Sequence, residues 1–220
     1  MATKVLAVLL TSDKHAHLVR HVWDRVRIYD ADVIVVTEDN QKTAIEAAQG
    51  LPLEVATVDY KKLDEYMTHP HFRHSITHWR FRDLFSIAET RNYYLGLAKD
   101  YDYLLHIDGD VLPPEDGLDK LLAEKKDHIG GIAYSDRPDK HKGWYVDPRP
   151  TEEQLQAGSV YECAIIGGCF CLESNRVINI PYILPDLQPV ASDAIPRCLD
   201  IVKAGFKNYC HAGVICQHLT

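Results

Sequence analysis

Over its first 112 residues the chain alternates between two hydrophobic periods, and that alternation limits the fold more than any other feature. "KVLAVLL" (4–10) is almost continuously apolar, the mark of a strand covered on both faces. "DKHAHLVRHVWDRVRIY" (13–29) then places Leu18, Val19, Val22 and Val26 at helical spacing. The pattern repeats. "ADVIVVTED" (31–39) reads as a strand, "NQKTAIEAAQG" (40–50) as a helix ended by Gly50, and "LEVATVDY" (53–60) as a third strand. "RFRDLFSIAETRNYYLGLAKD" (80–100) is a long helix leading into a fourth strand, "YLLHID" (103–108). Apolar strands between helices predict an α/β fold with a central, mostly parallel twisted sheet flanked by helices.

In open sheets of this kind ligands bind beyond the carboxyl ends of the strands. Those ends carry Thr11 and Ser12, Glu38 and Asp39, Asp59, and then Asp108 and Asp110, so one sheet edge is expected to be polar and acidic. No G-x-G-x-x-G follows the first strand and no G-x-x-x-x-G-K-[ST] occurs, which argues against dehydrogenase-type dinucleotide binding and an ordinary P-loop.

After Pro113 and Pro114 the rhythm changes. "EDGLDKLLAEKK" (115–126) has acids in its first turn and lysines in its last, matching a helix dipole. "HIGGIAY" (128–134) is a strand, and "SDRPDKHKGWYVDPRPTEEQ" (135–154) reads as a mobile surface loop. "YECAIIGGCFCLES" (161–174) is strand-like around a Gly167-Gly168 break. "SDAIPRCLDIVKAGF" (192–206) is a helix with Ser192 as the expected N-cap and Pro196 in its first turn, and "KNYCHAGVICQHLT" (207–220) is extended.

The chemistry concentrates in "YDYLLHIDGDVLPPED" (101–116). Two adjacent carboxylates repel and raise one another's pKa unless something positive lies between them. Asp108 and Asp110 at a strand end therefore suit a hard divalent cation, Mn²⁺ or Mg²⁺, with Gly109 allowing a tight turn.

"ETRNYYLGLAKDYDYLLHIDGDVLPP" resembles the central segment of nucleotide-sugar-dependent glycosyltransferases of the Rossmann-like GT-A fold, family-two-like, in which a helix with an R-N pair precedes the strand ending in D-x-D. "GGCFCLESNRVI" is similar to that family's glycine-rich strand near the acceptor, and "SDAIPRCLDIVKAGFKNYCHAGVICQHL" to its closing acid, helix, strand and histidine. The resemblance covers roughly residues 3–219 in order. It implies a single domain in which 1–112 binds the nucleotide sugar and 113–220, with a smaller sheet, binds the acceptor. It further implies a nucleotide-diphosphate sugar donor (UDP or GDP) and a glycan or glycoconjugate acceptor. Asp108 would lie at the ribose and metal, Asp110 and His218 would be metal ligands, and Asp193 would be the catalytic base of an inverting transfer. Arg91 would reach the nucleotide or diphosphate, Thr11 and Asp39 would hold the nucleoside, and Gly168 would lie on the acceptor-side strand. Asp193 departs from the usual acidic pair, being flanked by Ser192 and Ala194.

Trp144 and Tyr145 are suited to stacking on an acceptor sugar. His69, His71, His74 and His78 fit no standard metal spacing and read as a loop over the donor or acceptor site. A net charge of −8 argues against nucleic acid as a partner. The six-residue apolar run at 5–10 is too short for a signal peptide or a membrane span, so a cytoplasmic enzyme with reduced, core-forming cysteines is the expectation. Ending two residues after His218, the chain reads as a minimal enzyme or as part of a longer polypeptide. Two other readings stand beside this one. "IDGDVL" is similar to the aspartate loop of haloacid-dehalogenase-type phosphatases, although that loop normally opens the chain, and a non-catalytic sugar-nucleotide or glycan-binding module would keep the same fold.

Overall fold

The structure is a computed structural model that describes residues 3–61, 78–135, 146–167, 169–183 and 193–219. In chain order its elements are β1 (Val5–Leu10), α1 (Val19–Val26), β2 (Asp32–Glu38), α2 (Lys42–Gln49), β3 (Glu54–Val58), α3 (His78–Leu97), β4 (Tyr103–Asp108), β5 (Val111–Leu112), α4 (Gly117–Ala123), β6 (His128–Ser135), β7 (Val146–Asp147), α5 (Glu152–Ala157), β8 (Val160–Cys163), β9 (Ile165–Ile166), β10 (Phe170–Ser174), α6 (Ala194–Lys203) and β11 (Asn208–His218). A short 3-10 turn, Asp13–Leu18, precedes α1.

Side-chain alternation explains the layers. Val5, Ala7 and Leu9 of β1 face Val19, Val22 and Val26 of α1, whereas Leu6 and Val8 face Ala88, Tyr94 and Leu95 of α3. Both faces of β1 are dry, as its unbroken apolar run requires, and each fully buried aliphatic side chain contributes about 1.5–3 kcal/mol. β4 follows the same rule. Leu105 and Ile107 join the α1 layer, while Leu104 joins the α3 layer. By the period of two, His106 and Asp108 also project on the α3 side.

The large sheet runs β3-β2-β1-β4-β10-β6-β11-β5, with β8 also paired to β11. β1, β2, β3 and β4 pair in parallel, whereas β10 is antiparallel to both of its neighbours, β4 and β6. β11 is parallel to β6 and antiparallel to β5 and β8. The sheet is therefore mixed. Even so, β1, β2, β3, β4, β6 and β11 all point one way, and their carboxyl ends share one edge. β10 can run backwards because antiparallel pairing needs no crossover helix. A second small sheet joins β7 to β9.

Two local expectations change. Within the expected surface loop the chain forms α5, closed by a capping box in which Gln154 N donates to Thr151 Oγ1 at 3.2 Å and Thr151 N donates to Gln154 Oε1 at 2.8 Å. The last helix starts at Ala194, so Asp193, not Ser192, occupies the N-cap position, yet its side chain makes no capping bond. That carboxylate is turned elsewhere.

Candidate functional site

The segment after β4 builds the site. Gly109 N donates to Leu10 O at 2.7 Å, fastening the end of β4 to the end of β1. A Cβ at Gly109 would lie 2.8 Å from that same backbone oxygen and 2.9 Å from Thr11 Oγ1. Glycine is thus required by close approach rather than by an unusual φ. One residue on, Val111 pairs with His218, and Leu219 N donates to Asp110 O at 2.6 Å. This short crossing carries the chain along the carboxyl edge from β4 to β11 and brings Asp110 and His218 together.

The two aspartates take different partners. Asp110 Oδ2 lies 3.4 Å from His218 Nε2 and 3.4 Å from Nε2 of His15, which sits in the 3-10 turn after β1. Burial lowers the His15 pKa, with the Asp110 charge opposing it. Asp108, on the α3 face, accepts from Arg91 Nη2 at 3.0 Å. Arg91 also donates through Nε to Asp193 Oδ2 at 2.7 Å and through Nη1 to the Tyr94 hydroxyl at 2.8 Å. One buried guanidinium therefore joins the acid after β4 to the acid at the start of α6. Burial opposes its charge, but Tyr94, Asp193 and Asp108 together hold its pKa well above the ordinary value. Burial raises the Asp108 carboxyl; Arg91 counters this, and repulsion from Asp110 and Asp193 adds to it.

Beneath these residues lies a buried polar chain. Tyr94 OH accepts from Arg91, so its own proton is directed to His106 Nδ1, 2.8 Å away. That leaves the His106 proton on Nε2, 3.4 Å from Glu173 Oε1. Arg197 grips Glu173 with Nε at 3.2 Å and Nη2 at 2.5 Å. Asn92, next to Arg91, clamps Tyr182 through both backbone groups (2.7 and 2.9 Å), and the Tyr182 ring lies 5.7 Å from the Arg91 guanidinium carbon and 4.8 Å from that of Arg197.

The remaining predicted residues divide into two groups. Thr11 is buried beside Gly109, and its Oγ1 has no hydrogen-bond partner among the described residues. Asp39 accepts from Tyr60 N at 3.0 Å, bracing the end of β3. Asp13 instead serves the N-terminus of α2, accepting from Ala44 N at 2.9 Å. Trp144, Tyr145, Gly168 and Ser192, together with His69, His71 and His74, lie outside the described residues. Sequence reasoning missed His15, Tyr94 and Tyr182. Nothing in the spacing of a histidine-rich first turn marked one member as reaching a carboxylate after β4.

Among donor groups of described residues, His128, Cys171 and Glu173 also cluster tightly. Arg197 already occupies both Glu173 oxygens there, so a cation at that point would face a buried positive charge. Asp110 and His218 fit a divalent cation better. They are one carboxylate and one imidazole, partly open to solvent and held by backbone pairing.

No family model and no curated protein matches the sequence. Among solved structures, the chain is similar to GalNAc-T7, crystallised with UDP, GalNAc and Mn²⁺, at a TM-score of 0.62 and 10% identity over 99% of this chain and 44% of that one. It also matches A197 from STIV at a TM-score of 0.48 and 14% identity, covering 100% of this chain and 86% of that one. The chain thus spans less than half the length of GalNAc-T7. The fold is an α/β fold of the GT-A type. No helix among the described residues is long and apolar enough to cross a membrane.

Proposed function

We propose that this protein is a metal-dependent glycosyltransferase that moves a sugar from a nucleotide diphosphate to a hydroxyl acceptor with inversion. The observation that carries this reading is the gathering, on the carboxyl edge of a GT-A-type sheet, of Asp110 with His218 and of Asp108 with Arg91 and Asp193. The half up to residue 112 would hold the donor and the half from 113 the acceptor.

Asp110 and His218 would hold a Mn²⁺ or Mg²⁺ ion, which when bound neutralises charge developing on a departing diphosphate. The protein's own groups do the rest. Thr11 and Asp39, after β1 and β2, border the nucleoside position, and the Thr11 hydroxyl is available to donate to it. An acceptor hydroxyl is a poor nucleophile until its proton is taken, and Asp193 is the carboxylate set for that role. Arg91 fixes the Asp193 side chain and ties it to Asp108, so acceptor and donor sides keep one geometry. GalNAc-T7 with UDP and Mn²⁺ on a shared fold supports this class, as analogy.

The test is calorimetric titration with UDP, GDP, dTDP and CDP, with and without Mn²⁺, on the wild type and on Asp110→Ala. One nucleotide is expected to bind only with metal and to lose binding in the variant. Failure of all four to bind would remove the transferase reading and return attention to phosphatase chemistry.

A further inference from the structure

We infer that Asn92 is a positioning residue for transfer: by clamping the backbone of Tyr182 it seats that ring against Arg91, and so aims the Arg91 guanidinium at Asp193. The consequence for turnover rests on the reading of Asp193 as the base.

Asparagine suits the interior of a helix poorly, because its amide competes with the backbone and its helix propensity is low. Asn92 nevertheless stands well inside α3, next to Arg91. Its amide is spent outside the helix. Oδ1 accepts from Tyr182 N at 2.7 Å and Nδ2 donates to Tyr182 O at 2.9 Å. An amide offers an acceptor and a donor side by side, so it stands in for a neighbouring strand. A longer approach, 3.4 Å from Nδ2 to Glu89 Oε1, stays within α3. Tyr182 is 5% exposed, so its two backbone groups need protein partners.

The ring carries the effect to the site. Its centre lies 5.7 Å from the Arg91 guanidinium carbon and 4.8 Å from that of Arg197, both within the ~6 Å reach of a cation over a ring. The two arginines serve α6 at points about one turn apart. Arg91 Nε holds the Asp193 carboxylate at 2.7 Å. Arg197 ties the same helix to β10 through Glu173 and donates to Val177 O at 3.0 Å. Tyr182 therefore touches both the group that orients the base and the group that anchors its helix. Charge alone does not fix the direction of Arg91, since Asp108 and Tyr94 also draw on it. A misplacement of about 1 Å at Asp193 is enough to cost on the order of 100-fold in rate.

The experiment compares wild type, Asn92→Ala, Tyr182→Leu and Tyr182→Phe by proton–nitrogen NMR of arginine side chains, with Arg91→Lys to assign the Arg91 signals. Thermal melting fixes a temperature at which every variant is folded. A guanidinium held through all of its nitrogens turns slowly about its Nε–Cζ bond and gives separate Nη signals. Separate signals are expected in the wild type and in Tyr182→Phe, which keeps the ring, and merged ones in Asn92→Ala and Tyr182→Leu. Nucleotide release from UDP-GalNAc and GDP-mannose is then measured with Mn²⁺, water serving as acceptor. In Asn92→Ala and Tyr182→Leu kcat is expected to fall about tenfold or more at unchanged KM, with most of it restored in Tyr182→Phe. Unaltered Arg91 signals in folded Asn92→Ala and Tyr182→Leu would overturn the inference and leave the transferase reading standing. Merged signals with wild-type kcat would overturn the positioning role as well. Merged signals in a protein that binds none of the nucleotides would support the clamp and sink the transferase.

Discussion

Arg91 is 2% exposed, and its guanidinium serves Asp193, Asp108 and Tyr94 from three different nitrogens. A lysine ammonium is a compact point charge and cannot span those directions. Exposed pairs such as Lys207 with Glu162 are screened by water and hold little, but breaking a buried pair by removing one partner costs about 3–5 kcal/mol. Arg91→Met is therefore expected to lower unfolding free energy by about 3–5 kcal/mol in urea titration. Arg91→Lys should lose less stability yet reduce transfer about 100-fold or more, because Asp193 and Asp108 are no longer held in register. Near wild-type turnover in Arg91→Lys would refute the positioning role. Asp108, Asp110, Asp193 and His218 stand out in the sequence because they fall at element ends, and Arg91, inside α3, stands out through its R-N pair. Their pairing does not, since a string of residues shows two aspartates side by side without showing that one turns to α3 and the other to His15 and His218. Nothing in the sequence sets Tyr94 apart within the long helix, and only its neighbours show that its hydroxyl links Arg91 to His106.

At the scale of elements, the site depends on how closely β4 approaches the end of β1. The atom blocking a Cβ at Gly109 is the Leu10 carbonyl oxygen, 2.8 Å away, and backbone yields less easily than a side-chain tip. Gly109→Ala is expected to cost about 1–3 kcal/mol and to weaken Mn²⁺ binding by moving Asp110. Gly96, late in α3 with open space around it, is the control: Gly96→Ala should stabilise by about 0.4–1 kcal/mol and leave metal binding unchanged. Equal effects in urea titration would show that Gly109 is not a contact point. The strand and helix order of the first half was readable because β1, β2 and β4 are buried over most of their length and α1 and α2 bury apolar residues at helical spacing, while β3, more open to solvent, shows itself only by its β-branched residues. The reversed β10 was not readable. An apolar strand next to a glycine break looks the same whichever way it runs, and what decides is the pairing of Phe170–Ser174 with β4 and β6.

Across the whole molecule, a buried charged network joins β4, β6, β10, α6 and β11. Burial works against the Glu173 charge, but Arg197, His106 and His128 hold its carboxyl well below the usual range. His128 is buried, and its pKa is lowered by that burial, with Glu173 opposing. Asn208 Nδ2 donates to Ala164 O and Cys198 O, so Asn208 Oδ1 accepts from His128 Nδ1 at 2.7 Å, and the ring is held in one neutral form. In the unfolded chain a histidine takes up its proton near pH 6.5, while His128 in the folded protein takes it up only at lower pH. Below about pH 6.5 the unfolded state therefore binds more protons and stability falls as pH falls, by up to about 1.4 kcal/mol per pH unit for this residue. Glu173 adds a second loss below about pH 4.5, where the unfolded carboxylate is protonated first. Urea midpoints between pH 7.5 and 4 should decline in these two stages. His128→Gln, which keeps a polar group for Asn208 without a titrating ring, should make the first stage shallower while leaving the second, the remainder coming from His106, whose pKa burial also lowers. Glu173→Gln, which leaves Arg197 buried without its anion, should lose about 3–5 kcal/mol even at pH 7.5. A His128→Gln profile that tracks the wild type through pH 6.5 to 5 would show that this histidine titrates alike in both states, and the network would then hold the sheet to α6 without making it sensitive to acid.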